Sequence, residues 1–342
     1  MFPTPFSSRV VECDCLPASS TSLSRRTLLK TAAAGAAALA AGQFPILGAS
    51  TKPTAPTSES LVATFYKSLN ETQRQTLCMG FDDPLRSKVD NNWFIVKPRI
   101  DEILNKDQQA MVREIFLKLH SPEYAKTILA ATEHDNGPRG LGSCSVALFG
   151  EPGTGKFEFV LTGRHVTRRC DGDSVAGAAF GGPIFYGHSA LSDDEDKDHR
   201  DNVYWYQAVR ANEVFKMLDG RQRERSLLVD SRKERGTATV ELKGKNHEFP
   251  GIRVGDLSRD QRDHVRKVMA DLLAPFRKTD ADEALKLVEA GGFDQLHLAF
   301  FKNDDIGNDG VWDIWQLESP SMLWYFRGFP HVHTWVNIKQ PA

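Results

Sequence analysis

The chain has 342 residues, of which 40% are hydrophobic and 26% charged, proportions typical of a folded globular protein rather than a disordered one. The first 50 residues hold four basic and two acidic groups, so the formal net charge of −2 becomes −4 for the 292 residues that follow. Such a body does not attract polyanions, and composition therefore argues against nucleic acid as a partner.

The chain begins with a pattern typical of an export signal. Ser24-Arg25-Arg26-Thr27-Leu28-Leu29-Lys30 precedes an Ala/Gly/Leu run over 31–41, and small residues follow at 48–50. The paired arginines resemble a twin-arginine signal, which the twin-arginine translocase reads during export. We expect residues 1–50 to be this signal and 51–57 a linker, which makes the protein periplasmic or otherwise exported. An uncleaved anchor is the alternative, but the run is too short and polar for a stable membrane span.

Three cysteines follow the predicted signal, namely Cys78, Cys144 and Cys170. An odd number allows at most one disulfide, and the sequence contains no C-x-x-C pair of the kind that thiolate zinc sites use. Cysteine chemistry is therefore not the leading functional hypothesis.

One local pattern predicts four helix starts. In each copy a Leu precedes an Asn, Asp or Ser, and a Gln follows three residues later, which is a capping box with a hydrophobic staple. The copies begin at Leu69, Leu104, Leu218 and Leu257. Two helical pairs on either side of a central segment suggest a duplicated scaffold, although capping alone also explains the likeness.

Between and after the helical pairs, alternating hydrophobicity predicts strands. The central segments are 145–149, 157–167 and 178–186, and a C-terminal series follows at 295–302, 311–317, 321–327 and 332–338. The turn residues between them are typical of antiparallel hairpins and a meander. We therefore expect a single α+β domain over 58–342, with antiparallel strands packed against two pairs of capped helices.

Two loops imitate ligand-binding motifs. Residues 150–156 match a phosphate-binding loop as far as Lys156, but Phe157 replaces the required Ser or Thr and a strand pattern follows. We interpret this segment as a turn between antiparallel strands. Residues 305–310 resemble a calcium loop that lacks key ligands, and a hairpin turn explains the glycines better. The acidic run 193–198 is typical of a solvated loop.

Four of the ten histidines form the candidate metal site. His331 and His333 are two residues apart on a predicted strand, so their imidazoles project from one face. His165 and His188 follow Gly-rich strands where the backbone can approach a ligand closely. Each taken alone is better explained as a core or polar-face histidine. His134 is a further candidate ligand or proton shuttle, and His297 is in reserve.

Four further motifs follow the predicted signal: Thr162-Gly163-Arg164-His165, Cys170-Asp171-Gly172, the run 180–188 and Phe329-Pro330-His331-Val332-His333-Thr334-Trp335. Together they resemble a bacterial family called domain of unknown function 3500, whose members are often found behind export signals. The resemblance extends from about Glu59 to Ile338. The family often has a second histidine or a proline where Arg164 stands, which leaves His165 as the matching imidazole. The resemblance implies no activity.

The leading hypothesis is a protein in which His165, His188, His331 and His333 hold a transition metal. An all-imidazole set favours copper or zinc over calcium or magnesium. If three of them coordinate, the open position permits zinc-assisted hydrolysis or copper redox chemistry on a small-molecule substrate. Arg164 and Arg327 are candidates for holding an anionic substrate, and surface salt bridges are their alternative explanation.

Two other hypotheses remain. A non-enzymatic binding protein would use the aromatic residues of the last strands to stack on a sugar or a partner, although a core position explains most of them. These residues are Trp312, Trp315, Trp324, Tyr325 and Trp335. A metal-independent hydrolase ranks last, because no G-x-S-x-G nucleophile elbow occurs. The sequence alone leaves open whether the protein is an enzyme.

Overall fold

The computed structural model describes residues 56–189, 203–305 and 310–341. The predicted signal, most of the predicted linker and the acidic run 193–198 lie outside the described residues. Within those ranges, none of the helices has both the length and the apolarity needed to cross a membrane.

The predicted capping boxes are confirmed at all four helix starts. In each box the side chain of Asn70, Asn105, Asp219 or Ser258 accepts a hydrogen bond from the backbone N–H of the Gln three residues later. The Gln side chain in turn accepts from the backbone N–H of the capping residue, so two otherwise orphaned donors are satisfied. The helices are α1 Ser58–Ser68, α2 Glu71–Leu77, α3 Ile100–Ile103, α4 Lys106–Lys118, α5 Ala125–Asp135, α6 Trp205–Met217, α7 Gly220–Ser226, α8 Arg259–Leu273 and α9 Lys278–Ala290.

The strands of the described residues form an 11-stranded, mostly antiparallel sheet, which confirms the α+β class. Their bounds are β1 Cys78–Met79, β2 Ser145–Gly150, β3 Phe157–Gly163, β4 Val166–Cys170, β5 Ile184–His188, β6 Leu227–Leu228, β7 Ile252–Arg253, β8 His297–Phe301, β9 Ile314–Ser319, β10 Met322–Arg327 and β11 Val332–Ile338. Their order is β1-β2-β3-β4-β5-β11-β10-β9-β8-β6, and β7 also pairs with β8. The C-terminal meander is therefore confirmed, with shifted boundaries.

The order of elements supports the duplication hypothesis. In each half of the sheet a two-residue strand, β1 or β6, runs parallel to the first strand of an antiparallel series. The series β2–β5 and β8–β11 meet where β5 pairs antiparallel with β11. In both halves the Gln residues of the two capping boxes hydrogen-bond each other through their side-chain amides: Gln73 with Gln108, and Gln222 with Gln261.

Two expected central strands differ from the structure. The segment 157–167, expected as one strand, is a hairpin of β3 and β4 with Arg164 and His165 in its turn. The chain therefore reverses before His165, which lies in the turn and not on the strand of Phe157 and Phe159. The segment 178–186 begins with a 3-10 turn over Ala179–Gly181 before β5 starts. The expected turn over 150–156 is confirmed, since Gly150 pairs with Phe157 across a hairpin.

The two faces of the sheet pack against different parts of the chain. The larger core lies between the sheet and the helices, and it includes Tyr186, Trp324 and Val332. The other face packs against irregular segments around Val89 and Val240, and it includes Phe185 and Trp335. Trp315, Trp324, Tyr325 and Trp335 are at most 1% exposed, so these aromatic residues belong to the core rather than to a stacking surface.

Candidate metal centre

The candidate site lies at one end of the seam between the two halves of the sheet. There the β3–β4 turn, the end of β5 and the start of β11 come together. The turn is tied to β5, because Gly187 N–H donates to the backbone oxygen of His165 at 3.1 Å. Gly187 pairs with His333, and a Cβ on Gly187 would stand 2.1 Å from the carbonyl oxygen of Val332. Only glycine permits β11 to pass this closely beside His188.

Three of the four predicted histidines converge. His331 Nε2 lies 3.0 Å from His165 Nε2 and 3.0 Å from His333 Nε2. The three candidate ligand atoms lie within 4.8 Å of one another, and the three residues are between 5% and 8% exposed. The fold therefore brings together three of the predicted histidines from positions up to 168 residues apart.

Each outer histidine of this group contacts a carboxylate through its other ring nitrogen. His165 Nδ1 lies 3.1 Å from Asp135 Oδ2, and His333 Nδ1 lies 2.7 Å from Glu234 Oε2. Asp135 extends from the end of α5 on the helical side of the sheet. Glu234 comes from the loop after β6. The three-histidine group is thus supported by one carboxylate from each half of the chain.

The charges of these groups follow from burial and hydrogen bonding. Burial by itself raises the pKa of Asp135, but hydrogen bonds with His165 and His188 outweigh burial and lower the pKa to about 2. Burial likewise opposes ionisation of Glu234, yet His333 and Arg327 lower its pKa to about 2. Burial, with the nearby charge of Arg327, lowers the pKa of His333 to about 3 despite Glu234. At neutral pH the carboxylates are ionised and His333 is neutral.

This charge pattern determines what the three Nε2 atoms can do. A carboxylate next to Nδ1 favours the ring proton on that nitrogen, and in this tautomer Nε2 of His165 and of His333 carries a free lone pair. His331 Nε2 lies between these two acceptors, and a proton on it can serve only one of them. A metal cation accepts all three lone pairs at once. Carboxylates that hold the remote nitrogens of ligating histidines are the usual outer contacts of such centres.

His188 lies next to this group but is not part of it. Its Nδ1 is 3.2 Å from Asp135 Oδ2, the same oxygen that His165 contacts. Its register partner is Val332, which faces the helices, so His188 lies on the helical face. The ring of the exposed His134 stands 5.9 Å from the ring of His188. The role of His188 as a ligand stays a prediction.

The two predicted substrate-binding arginines have different surroundings. Arg327 Nε donates to Glu234 Oε1 at 2.7 Å, its Nη1 donates to the Phe329 carbonyl at 2.7 Å, and its guanidinium also contacts His333 Nδ1. Arg327 therefore holds Glu234 in place. Arg164 is half-buried in the same turn as His165, and its backbone N–H and C=O are both bound by Asn136. A role in substrate binding stays a prediction for both.

Sequence reasoning missed both carboxylates. The position of Asp135 could have indicated a role, because a negative charge in the last turn of a helix is destabilised by the helix dipole and indicates a compensating contact elsewhere. Glu234 carried none, because it belongs to the charged run 230–235, which is typical of a solvated loop. His297, the reserve candidate, lies on β8 with its Nδ1 at 3.1 Å from the Gln295 carbonyl, outside the group.

Comparison with known proteins agrees with the motifs on which this site was predicted. Residues 52–338 match the family described as a protein of unknown function, DUF3500. Because the match covers most of the chain, the protein belongs to this family. Comparison with curated proteins and comparison with solved structures give no match.

Proposed function

We propose that the protein is an exported metal-binding protein that holds one transition-metal ion, zinc or copper, through Nε2 of His165, His331 and His333. The observation that carries the proposal is the convergence of three buried imidazole nitrogens, two of them backed by ionised carboxylates. The paired arginines near the N-terminus support export, where folded proteins often carry a cofactor already in place.

Two of the three separations between the ligand nitrogens fit a common ion. Two nitrogens bound at about 2.1 Å to one ion lie about 3.0 Å apart at right angles and about 3.4 Å apart at the tetrahedral angle. The two 3.0 Å separations in the group correspond to the lower end of this range. Imidazole without oxygen ligands favours zinc or copper over the hard cations.

Three protein ligands suit a reactive centre better than a purely structural one. Structural zinc sites are usually closed by four protein ligands, whereas catalytic sites keep a position for water or substrate. With zinc such a position supports hydrolysis, and with copper it supports redox chemistry. Arg327 and Glu234 fix the orientation of His333, and Asp135 fixes that of His165. These contacts pre-orient the ligand nitrogens before the ion arrives.

The test is the metal content of protein folded in the cell and purified without chelators. Elemental analysis is expected to find about one zinc or copper ion per chain, and the double variant His331→Ala with His333→Ala is expected to contain almost none. His297→Ala is the matched control and should keep the wild-type content. Wild-type protein without metal that also binds neither ion in titration would contradict the proposal, as would a double variant that retains its metal.

A further inference from the structure

Asn136, the residue directly after α5, binds the backbone beside His165 through both ends of its side-chain amide. Its side-chain Oδ1 accepts from the Arg164 N–H at 3.1 Å, and its Nδ2 donates to the Arg164 carbonyl at 3.1 Å. The same Nδ2 donates to the Thr132 carbonyl, one turn earlier in the helix, at 2.8 Å. One amide group therefore fastens the β3–β4 turn to the end of α5.

The turn needs such an attachment because of the conformation of His165. Its φ of 58° lies in the left-handed region, which residues with a Cβ rarely adopt unless their surroundings impose it. A turn that relaxes to a negative φ would redirect the imidazole away from His331. Besides Asn136, two backbone hydrogen bonds hold the turn, from His165 N–H to the Asn91 carbonyl at 2.9 Å and from Gly187 N–H to the His165 carbonyl at 3.1 Å.

Gly163 makes room for this contact. A Cβ on Gly163 would stand 2.8 Å from Asn136 Oδ1, so a larger residue would displace the amide. Asp135, the neighbour of Asn136 in sequence, binds the imidazole of His165. The end of α5 thus holds both the backbone turn and the ring of the same histidine.

We propose that Asn136 is a positioning residue that holds His165 in its metal-binding orientation by fixing the Arg164 peptide. The inference rests on the proposed metal-binding function and adds a residue that contacts neither the ion nor any ligand ring.

The chain offers a matched control in Asn212 on α6. Asn212 Nδ2 donates to the Ala208 carbonyl, one turn earlier, at 2.9 Å and to the Trp312 carbonyl at 3.0 Å, while Oδ1 accepts from the Trp312 N–H at 2.7 Å. Asn136 and Asn212 therefore make the same three hydrogen bonds, but Asn212 fastens a segment without a candidate ligand. Loss of these bonds should lower stability at both positions, and more so at the buried Asn212, but only the position next to His165 should affect metal binding.

The experiment titrates metal-free full-length variants with Co²⁺ and follows the visible absorption bands, which report the coordination geometry of the ion as well as the affinity. Asn136→Ala is expected to weaken Co²⁺ binding about 10- to 100-fold, the range for residues that orient metal ligands. Asn212→Ala is expected to bind within about twofold of wild type, a difference too small to indicate a positioning role. If Asn136→Ala does not fold, Asn136→Asp replaces it, since aspartate keeps the acceptor for Arg164 N–H but loses both donations.

A double-variant cycle shows whether Asn136 acts through His165. In a His165→Ala background, Asn136→Ala should weaken Co²⁺ binding by less than about twofold further, whereas in a His331→Ala background it should keep its full effect. Wild-type protein that binds Co²⁺ while Asn136→Ala matches Asn212→Ala would overturn only the positioning role. Wild-type protein that does not bind Co²⁺, zinc or copper would overturn the proposed function and this inference with it.

Discussion

The half of the chain from α1 to β5 and the half from α6 to β11 place similar elements in the same order, but they end in different chemistry. In the first half the β3–β4 turn is Arg164-His165, and in the second half the corresponding β9–β10 turn is Pro320-Ser321. The second half instead supplies its candidate ligands where the chain enters β11, with His331 just before the strand and His333 on it. The repeated helices and strands thus form a scaffold, and the chemistry depends on what each half adds at the seam.

Neither half by itself contains all the residues of the candidate site. The first half provides His165 and Asp135, and the second provides His331, His333 and Glu234. Each half therefore contributes at least one imidazole and one carboxylate. The candidate ligands come together only when β5 and β11 are paired, so the proposed metal binding should stabilise the pairing of the two halves.

The largest expected effect comes from breaking the contribution of the first half. His165→Ala should lower the affinity for Zn²⁺ by at least about 100-fold, because one of three ligands is lost from a buried centre. Ser321→Ala, at the corresponding turn of the second half, should leave affinity unchanged. Isothermal titration of both variants measures the difference. Equal affinities in the two variants would mean that the β3–β4 turn contributes no ligand.

The next largest effect is expected on stability, from the glutamine pairs that join the two capping boxes in each half. Gln73 and Gln108 are both buried, whereas Gln222 of the other pair is half-exposed. Gln108→Ala removes two buried hydrogen bonds from the amide of Gln73, which keeps its bonds to Ile103 and Asn70, and it removes the donor to the Ser68 carbonyl. It should therefore lower the free energy of unfolding by about 2–3 kcal/mol.

Gln222→Ala should lower the free energy of unfolding by only about 1 kcal/mol, because Gln222 is half-exposed and water can replace the hydrogen bonds that its side chain makes. Denaturant unfolding monitored by circular dichroism measures both variants. A larger loss for Gln222→Ala than for Gln108→Ala would show that burial does not set the difference between the two halves.

The smallest expected effect concerns carboxyl groups with opposite pKa shifts. Asp135 in the first half faces histidines and has a lowered pKa, whereas burial and neighbouring aspartates raise the pKa of Glu283 on α9 to about 7. A raised pKa means that the folded protein holds the proton more tightly than the unfolded chain, so stability falls as pH rises from the unfolded value near 4.5 through about 7.

Glu283→Gln should remove this loss of stability at high pH, because glutamine does not ionise. After solvent screening is allowed for, the variant should exceed wild type by about 1 kcal/mol at about pH 8 and equal it at about pH 4. Thermal unfolding across this pH range checks the prediction. A stability difference between wild type and variant that does not change with pH would show that Glu283 does not titrate as its surroundings require.

Much of the scaffold could be predicted from the sequence because its signals are local. A capping box needs only four residues, and all four boxes form where the pattern places them. The hairpin over 150–156 was also predictable, since a strand pattern after Lys156 excludes a helix there. The turn at His165 was missed because Gly163-Arg164-His165 contains a residue with positive φ that is imposed by Asn136 and Asn91, both distant in sequence.

The candidate site was predictable in part for the same reason. His331-Val332-His333 is a local pattern, and glycines near His165 indicate close packing. Asp135 and Glu234 act through contacts 30 and 99 residues away in the chain, and a single sequence does not show such pairs. His188 lies beside Asp135 and outside the three-histidine group, and its role as a ligand stays a prediction.

The central claim is that one ion joins ligands from both halves of the chain. The most direct test is an anomalous difference map at the zinc absorption edge, from crystals of protein loaded with one equivalent of Zn²⁺. The account predicts a single strong peak about 2.1 Å from Nε2 of His165, His331 and His333. A principal peak elsewhere, with the three imidazoles free of metal, would contradict it.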